Sequence, residues 1–178
     1  MTGAVSKGNF SLFMLVAVLA AASDQVTKFM TFGLDLDEGS YLFGDLYFDR
    51  IVFEIETALN TGAVAGIGQN MNFMFAVLSG FFLVLMVPFF MHVLPQRKGL
   101  LAPLAAGLAY GGVLGNFIDR LAMSAVRDFI AIGLVLDGGR KAMWPTFNIA
   151  DACICAGVTY FALVILFEKE RPAGAVAA

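Results

Sequence analysis

Between Gly111 and Asp151 the chain carries Asn116, Asp119, Arg120, Arg127, Asp128, Asp137, Arg140, Lys141, Asn148 and Asp151, in a sequence that is otherwise mostly hydrocarbon. Asp24 and Lys28 add a charged pair near the start, and Asn60 adds an amide. The carboxylates are the groups here that could do chemistry. Two carboxylates held together in a poorly solvated place cannot both ionise cheaply. Desolvation and repulsion raise one of them, and the pair shares a proton near neutral pH. One aspartate can then take a proton from water while the other gives one to a substrate. Asp128 and Asp151 are the best candidates for such a dyad. The one nearby base is Arg127, and it points away from Asp128 if the segment is a strand. Asp119 sits beside Arg120, and Asp24 lies four residues before Lys28 on one helix face; both read as structural ion pairs.

The elements that must position these groups are membrane spans. The chain is 60% hydrophobic and 14% charged, with a mean hydropathy of +0.83. A soluble domain is typically about half apolar and about a quarter charged, so the excess points to a polytopic membrane protein. Four spans are expected, near residues 10–32, 71–93, 100–118 and 147–167. The uncharged run 10–22 is too short to cross a hydrocarbon core that needs about 20 residues. The first helix must therefore continue through Asp24 and Lys28. A cleavable signal peptide ending at Ala20-Ala21-Ala22 is the competing reading, but it does not account for the charges that extend the helix. The run 152–167 is short in the same way, so the fourth helix starts near Phe147 and takes Asp151 into the membrane margin. Charges inside a span are costly and face a protein interior. Pro88 is a candidate kink in the second span, and His92 reads as an interfacial side chain at its end. In the third span Gly107, Gly111 and Gly115 give Gly-x-x-x-Gly spacing twice, which favours close helix contact. Cys153 and Cys155 point in different directions on a helix, so neither a disulfide nor a metal site is expected there.

Two long loops, residues 33–70 and 119–146, lie on one side. The first holds Asp35, Asp37, Glu38, Asp45, Asp49, Glu54 and Glu56 against the single base Arg50. Ile51 to Glu56 reads as a strand with Ile51, Phe53 and Ile55 on one face, followed by a small-residue turn from Asn60 to Gly66. In the second loop Phe129 to Leu136 reads as a strand or interfacial segment, and Asp137-Gly138-Gly139 as a turn. Arg140, Lys141 and Trp144 suit a headgroup position. The short connections on the other side hold Lys7, Arg97, Lys98, Lys169 and Arg171 in far fewer residues, which puts both termini in the cytoplasm. The fold class is thus a membrane α-helical protein. It is one domain of four transmembrane helices, with a small β-rich extracytoplasmic subdomain and a lid loop. On this map the unusual polar residues converge at one level, near the outer leaflet.

Five stretches, DQVTK at 24–28, NTGA at 60–63, GGVLGNFIDR at 111–120, VRDF at 126–129 and FNIAD at 147–151, resemble in order and spacing the motif series of the lipoprotein signal peptidase family, signal peptidase II. The resemblance implies a bacterial inner-membrane aspartyl endopeptidase with no cofactor and no metal. It would remove the signal peptide of a prolipoprotein just before its diacylglyceryl-modified cysteine. It implies Asp128 and Asp151 as the catalytic pair. Asn60, Asn116, Arg120 and Asn148 would hold the substrate backbone or brace the dyad, with Asp24, Lys28, Gly62 and Asp119 in support. The implied partners are prolipoproteins and membrane lipids, the chain is expected to act as a monomer, and residues 33–70 would close over the site. Three features depart from the family pattern: Val64-Ala65-Gly66 after NTGA, a longer stretch between VRDF and FNIAD, and an unusually acidic first loop.

The main alternative is a proton- or ion-coupled transporter, since intramembrane carboxylates also mark proton paths. It predicts polar residues at mid-membrane, where the second span has little beyond Asn72, Ser79 and His92. A scaffold would need no paired aspartates. One histidine cannot build an H-E-x-x-H site, and no basic stripe suggests nucleic acid.

Overall fold

The structure, a computed structural model, describes residues 7–33, 46–62, 71–93 and 99–167. The elements run α1 (Lys7–Phe32), β1 (Leu46–Phe48), β2 (Ile51–Asn60), α2 (Asn72–Val93), α3 (Leu101–Met123), β3 (Val126–Val135), β4 (Lys141–Met143) and α4 (Ile149–Phe167). All four helices are long and apolar enough to cross a membrane. The shortest, α4, has 19 residues, about 29 Å at the α-helical rise. Parts of the expected lid, residues 34–45 and 63–70, lie outside the described residues, and with them Val64, Ala65, Gly66 and four of the acidic side chains.

The first helix continues unbroken through Asp24 and Lys28 to Phe32. The third runs further than its apolar stretch suggests. It ends at Met123, so Asp119 and Arg120 stand on its last turns rather than in the following loop. Helix α3 is the centre of the bundle and packs against each of the other three. Its glycines make this possible. A Cβ on Gly111 would strike the carbonyl oxygen of Ala17 in α1, and one on Gly115 would lie 2.6 Å from Asp24 Oδ2. The two helices touch backbone to backbone along the Gly-x-x-x-Gly ridge, as small residues permit. Farther from the sheet, Phe13, Phe90 and Tyr110 join α1, α2 and α3 with ring centroids 5.4 and 5.6 Å apart, and Phe90 stacks on Phe161 of α4.

The strands form one antiparallel sheet in the order β1-β2-β3-β4 at one end of the bundle. Ile51, Phe53 and Ile55 do share a face, opposite Leu134, Ile132 and Ile130 of β3. That face is the more open one; the residues buried between them are Val52 and Glu54. Buried Glu54 is met there by Lys141 of β4 at 2.6 Å, and the Thr146 hydroxyl donates to neighbouring Glu56. The expected turn is present: Gly138 and Gly139 both take positive φ, the conformation that favours glycine.

Two connections tie the sheet to the bundle. After α3, Ser124 takes φ 54° and its N–H closes on the Arg120 carbonyl, so β3 starts two residues later. Before α4, Phe147 pairs with Ile130 of β3 in both directions, which delivers Asn148 beside the start of that strand. Because the α1–α3 contact leaves no room for a side chain, Gly111→Val should lower stability by about 1–3 kcal/mol. Gly8→Ala, which meets nothing within 4 Å, should change it little. Thermal unfolding of both variants in detergent checks this.

Candidate active site

At the sheet end of the bundle three fully buried charges meet: Asp24 and Lys28 of α1, and Asp119 of α3. The Lys28 ammonium has three N–H donors and three acceptors. It lies 2.7 Å from Asp24 Oδ2 and 3.0 Å from Asp119 Oδ2, and donates to Asn116 Oδ1 at 3.0 Å. Asp24 Oδ1 also accepts the Ala150 N–H at 2.9 Å, which fixes α1 against the start of α4. Asp119 accepts two bonds from Arg127, one from the backbone N–H at 3.0 Å and one from the guanidinium at 2.6 Å. Two acids and two bases thus compensate one another out of water, which such groups require.

The Asn116 amide is oriented by this cluster. Its oxygen must face the lysine, which can only donate, so its nitrogen is left to donate outward. It does so to Asp151 Oδ1 at 2.7 Å. Asn148 and Asp151 form a capping box at the start of α4. The Asp151 N–H donates to Asn148 Oδ1 at 2.9 Å, and the Asn148 N–H donates to Asp151 Oδ2 at 3.1 Å. With its oxygen held by the cap, the Asn148 nitrogen also points outward and donates to Asp128 Oδ1 at 2.6 Å. Asn60, at the end of β2, donates to Asp128 Oδ2 at 3.0 Å. Its own oxygen accepts the N–H of buried Gly62 at 3.0 Å, which fixes the amide.

Asp128 is only 2% exposed. Burial, and then the charge of Asp151, push its carboxyl up to about 7, and the two asparagine donors only partly offset this. Asp128 and Asp151 are therefore electrostatically coupled and distinguished by their surroundings. One lies on a buried strand; the other closes a helix N-terminus.

Arg120 belongs to this site and not to its neighbour in sequence. The expected Asp119–Arg120 ion pair does not form. Consecutive helix residues point about 100° apart, and Asp119 is taken by Lys28 and Arg127. The Arg120 guanidinium lies 5.7 Å from the centre of the Phe75 ring of α2, its charge interacts first with Asp151 and then with Asp128, and its buried Nε has no hydrogen-bond partner among the described residues.

All ten sequence-derived positions, Asp24, Lys28, Asn60, Gly62, Asn116, Asp119, Arg120, Asp128, Asn148 and Asp151, fall in this one region. Gln25, Arg127 and Phe75 also contribute and were missed. Gln25 was legible in principle: it lies three residues before Lys28, on the same helix face. Nothing in the sequence pointed to Phe75. Cys153 and Cys155 are free thiols.

A family model described as signal peptidase (SPase) II matches residues 16–167. The lipoprotein signal peptidase of Bacillus subtilis (strain 168) is 30% identical over 161 residues, covering 90% of this chain and 96% of that protein. That of Bacillus velezensis is 30% identical over 162 residues, covering 90% and 97%. Two solved structures share the fold, both titled as bacterial membrane enzymes determined by the in meso method. The one at 2.3 Å resolution has a TM-score of 0.74 and 28% identity, covering 98% of this chain and 99% of its own. The one at 1.9 Å has a TM-score of 0.71 and 28% identity, covering 95% and 99%.

The raised carboxyl of Asp128 has a thermodynamic consequence. The folded chain holds this proton up to about pH 7, whereas an unfolded aspartate releases it near pH 4. Between those values the folded state binds more protons, so stability falls as pH rises. Asp128→Asn removes the ionisation. Its stability relative to the unaltered protein should improve by on the order of 3 kcal/mol between pH 5 and pH 8. Parallel melts at the two pH values measure that difference.

Proposed function

The chain belongs to the signal peptidase II family, and from that premise we propose that it is an intramembrane aspartyl endopeptidase that removes the signal peptide from diacylglyceryl-modified prolipoproteins, cutting just before the lipidated cysteine. The observation that carries this reading is the coupled pair Asp128 and Asp151, each held by an asparagine whose orientation is fixed from behind.

In this mechanism the proton shared by the pair rests on Asp128, and a water lies between the two carboxyls. Asp151 takes a proton from the water as its oxygen attacks the carbonyl that precedes the cysteine. Asp128 gives its proton to the carbonyl oxygen. Collapse of the tetrahedral diol returns a proton to Asp128, and the proton held by Asp151 goes to the departing amine. Among the described residues the Nε of Arg120 is buried without a partner, which leaves it a donor to offer. A substrate backbone carbonyl would satisfy it. Asn60, Asn116 and Asn148 keep the carboxyls aimed.

In the bacterial inner membrane, with both termini cytoplasmic, this site lies near the outer leaflet, where the substrate's acyl chains are. The exposed Trp144, next to the basic residues Arg140 and Lys141, suits an interfacial rim there. One chain supplies every residue of the site, so a monomer suffices.

The test is cleavage of a diacylglyceryl-modified prolipoprotein by purified protein, with and without a chelator, each variant first checked for folding by thermal unfolding. The unaltered chain should cut in both conditions. Folded Asp128→Asn and Asp151→Asn should each lose about 100- to 10,000-fold in rate. Retained activity in either variant would sink the dyad, and loss of activity with chelator would bring in a metal. An inert unaltered chain would return the transporter reading to the front.

A further inference from the structure

We propose that Arg127 and Gln25 are positioning residues for the reaction, gripping Asp119 so that Asp128 is held at a fixed place opposite Asp151. This rests on the reading of Asp128 as catalytic. Neither residue is within hydrogen-bond distance of Asp128 or Asp151 through its side chain, so neither is a candidate to touch substrate.

The strand ladder alone does not fix Asp128. The pairing of β2 with β3 slips between Ile55 and Ala58, and Ala58 is the partner of Asp128. The extra residue of β2 at this point bends the strand and increases its local twist beside Asp128. The residue just before Asp128 is held from outside the sheet instead. The Arg127 N–H donates to Asp119 Oδ2, and its guanidinium Nη2 to Asp119 Oδ1, so backbone and side chain of one residue take both oxygens of one carboxylate. Its carbonyl accepts from Asn148 Nδ2 at 3.2 Å. Residue 127 is thereby fixed to α3 through Asp119 and to α4 through Asn148.

Gln25 completes the grip from α1. Its Oε1 accepts from Arg127 Nη2 at 3.0 Å. Its amide nitrogen lies 3.1 Å from Asp119 Oδ1, 3.1 Å from the Gly115 carbonyl and 3.2 Å from Asp24 Oδ2. The amide thus fills the space between the buried carboxylates and presents an acceptor to the guanidinium. Both side-chain bonds come from one nitrogen, Nη2, which donates to Asp119 Oδ1 and to Gln25 Oε1 and so joins the carboxylate to the amide. Because the side chain of Arg127 points to the opposite face of the strand from that of Asp128, the grip acts on the backbone and leaves the catalytic face clear.

The experiment is steady-state cleavage of the same prolipoprotein by Gln25→Leu, Arg127→Met, Arg127→Lys and the double variant Gln25→Leu/Arg127→Met. A displacement on the order of 1 Å costs roughly 100-fold in rate. Arg127→Met and Gln25→Leu should each lower kcat by about 10- to 100-fold, with KM within about twofold of the unaltered enzyme. Arg127→Lys should recover part of the loss. The double variant should be no slower than Arg127→Met alone, since both changes release one grip. Gln25→Leu removes no charge and decides the case if Arg127→Met does not fold. The proposal is overturned if kcat of folded Gln25→Leu stays within twofold, if KM rises in step with the loss, or if the two losses multiply. An unaltered chain that does not cleave would overturn the proposed function itself, which is a different result from active enzyme with indifferent variants.

Discussion

A carboxylate withdrawn completely from water must be given charge and donors from within the protein. The sheet end of this bundle is arranged around how Asp119 receives them. Lys28 comes from α1, Arg127 from β3 and Gln25 from α1. Those three contacts are also what hold the helix, the strand and the first span together. The glycine ridge of α3 has the same origin. Only without a side chain at Gly115 can Asp24 stand where it does and share the lysine. The packing of the apolar helices and the compensation of the buried charges are therefore one problem with one solution.

From that fixed cluster, order passes outward through two asparagines. A primary amide has one acceptor end and one donor end, and whatever holds the first aims the second. Lys28 holds the oxygen of Asn116, and its nitrogen goes to Asp151. The capping box of α4 holds the oxygen of Asn148, and its nitrogen goes to Asp128. The start of a helix and the setting of a carboxyl thus use the same side chain. A change that frays the first turn of α4 also frees the aspartate on the strand.

Much of this was legible in the sequence, and the rest was hidden for definite reasons. The short apolar runs near Ala22 and Ala152 revealed that Asp24 and Asp151 had to lie within helices, because hydrocarbon thickness sets a minimum length. The glycine spacing revealed a close helix contact on the third span, while its partner, α1, is known only from the fold. The side to which Arg127 turns followed from strand alternation alone. What failed was pairing by adjacency. Asp119 and Arg120 are neighbours in the chain, but helix geometry sends them apart, and the cations that serve Asp119 come from 91 residues before it and 8 after. The open face of the sheet was a similar case. Alternation identified Ile51, Phe53 and Ile55 as one face, but which face is buried depends on what the sheet docks against, and that is a tertiary fact. The third helix outran its apolar stretch because its last polar turns face compensated charges and not lipid.

The two electrostatically coupled carboxyls stand on different bodies. Asp128 is carried by the sheet, and Asp151 by the bundle. Their coupling depends on the distance between those bodies, because the charge of Asp151 is among the influences that raise Asp128. The sheet is fastened to the bundle close to this point by the left-handed turn at Ser124, the Phe147–Ile130 bridge and the Arg127–Asp119 grip. A shift of the sheet would therefore change how strongly Asp151 raises the carboxyl of Asp128. The cost of burying four charges in a membrane protein is easier to understand in that light. An apolar contact of the same area could hold the sheet in place, but with less directional constraint. Hydrogen-bonded ions hold it at one distance and one angle.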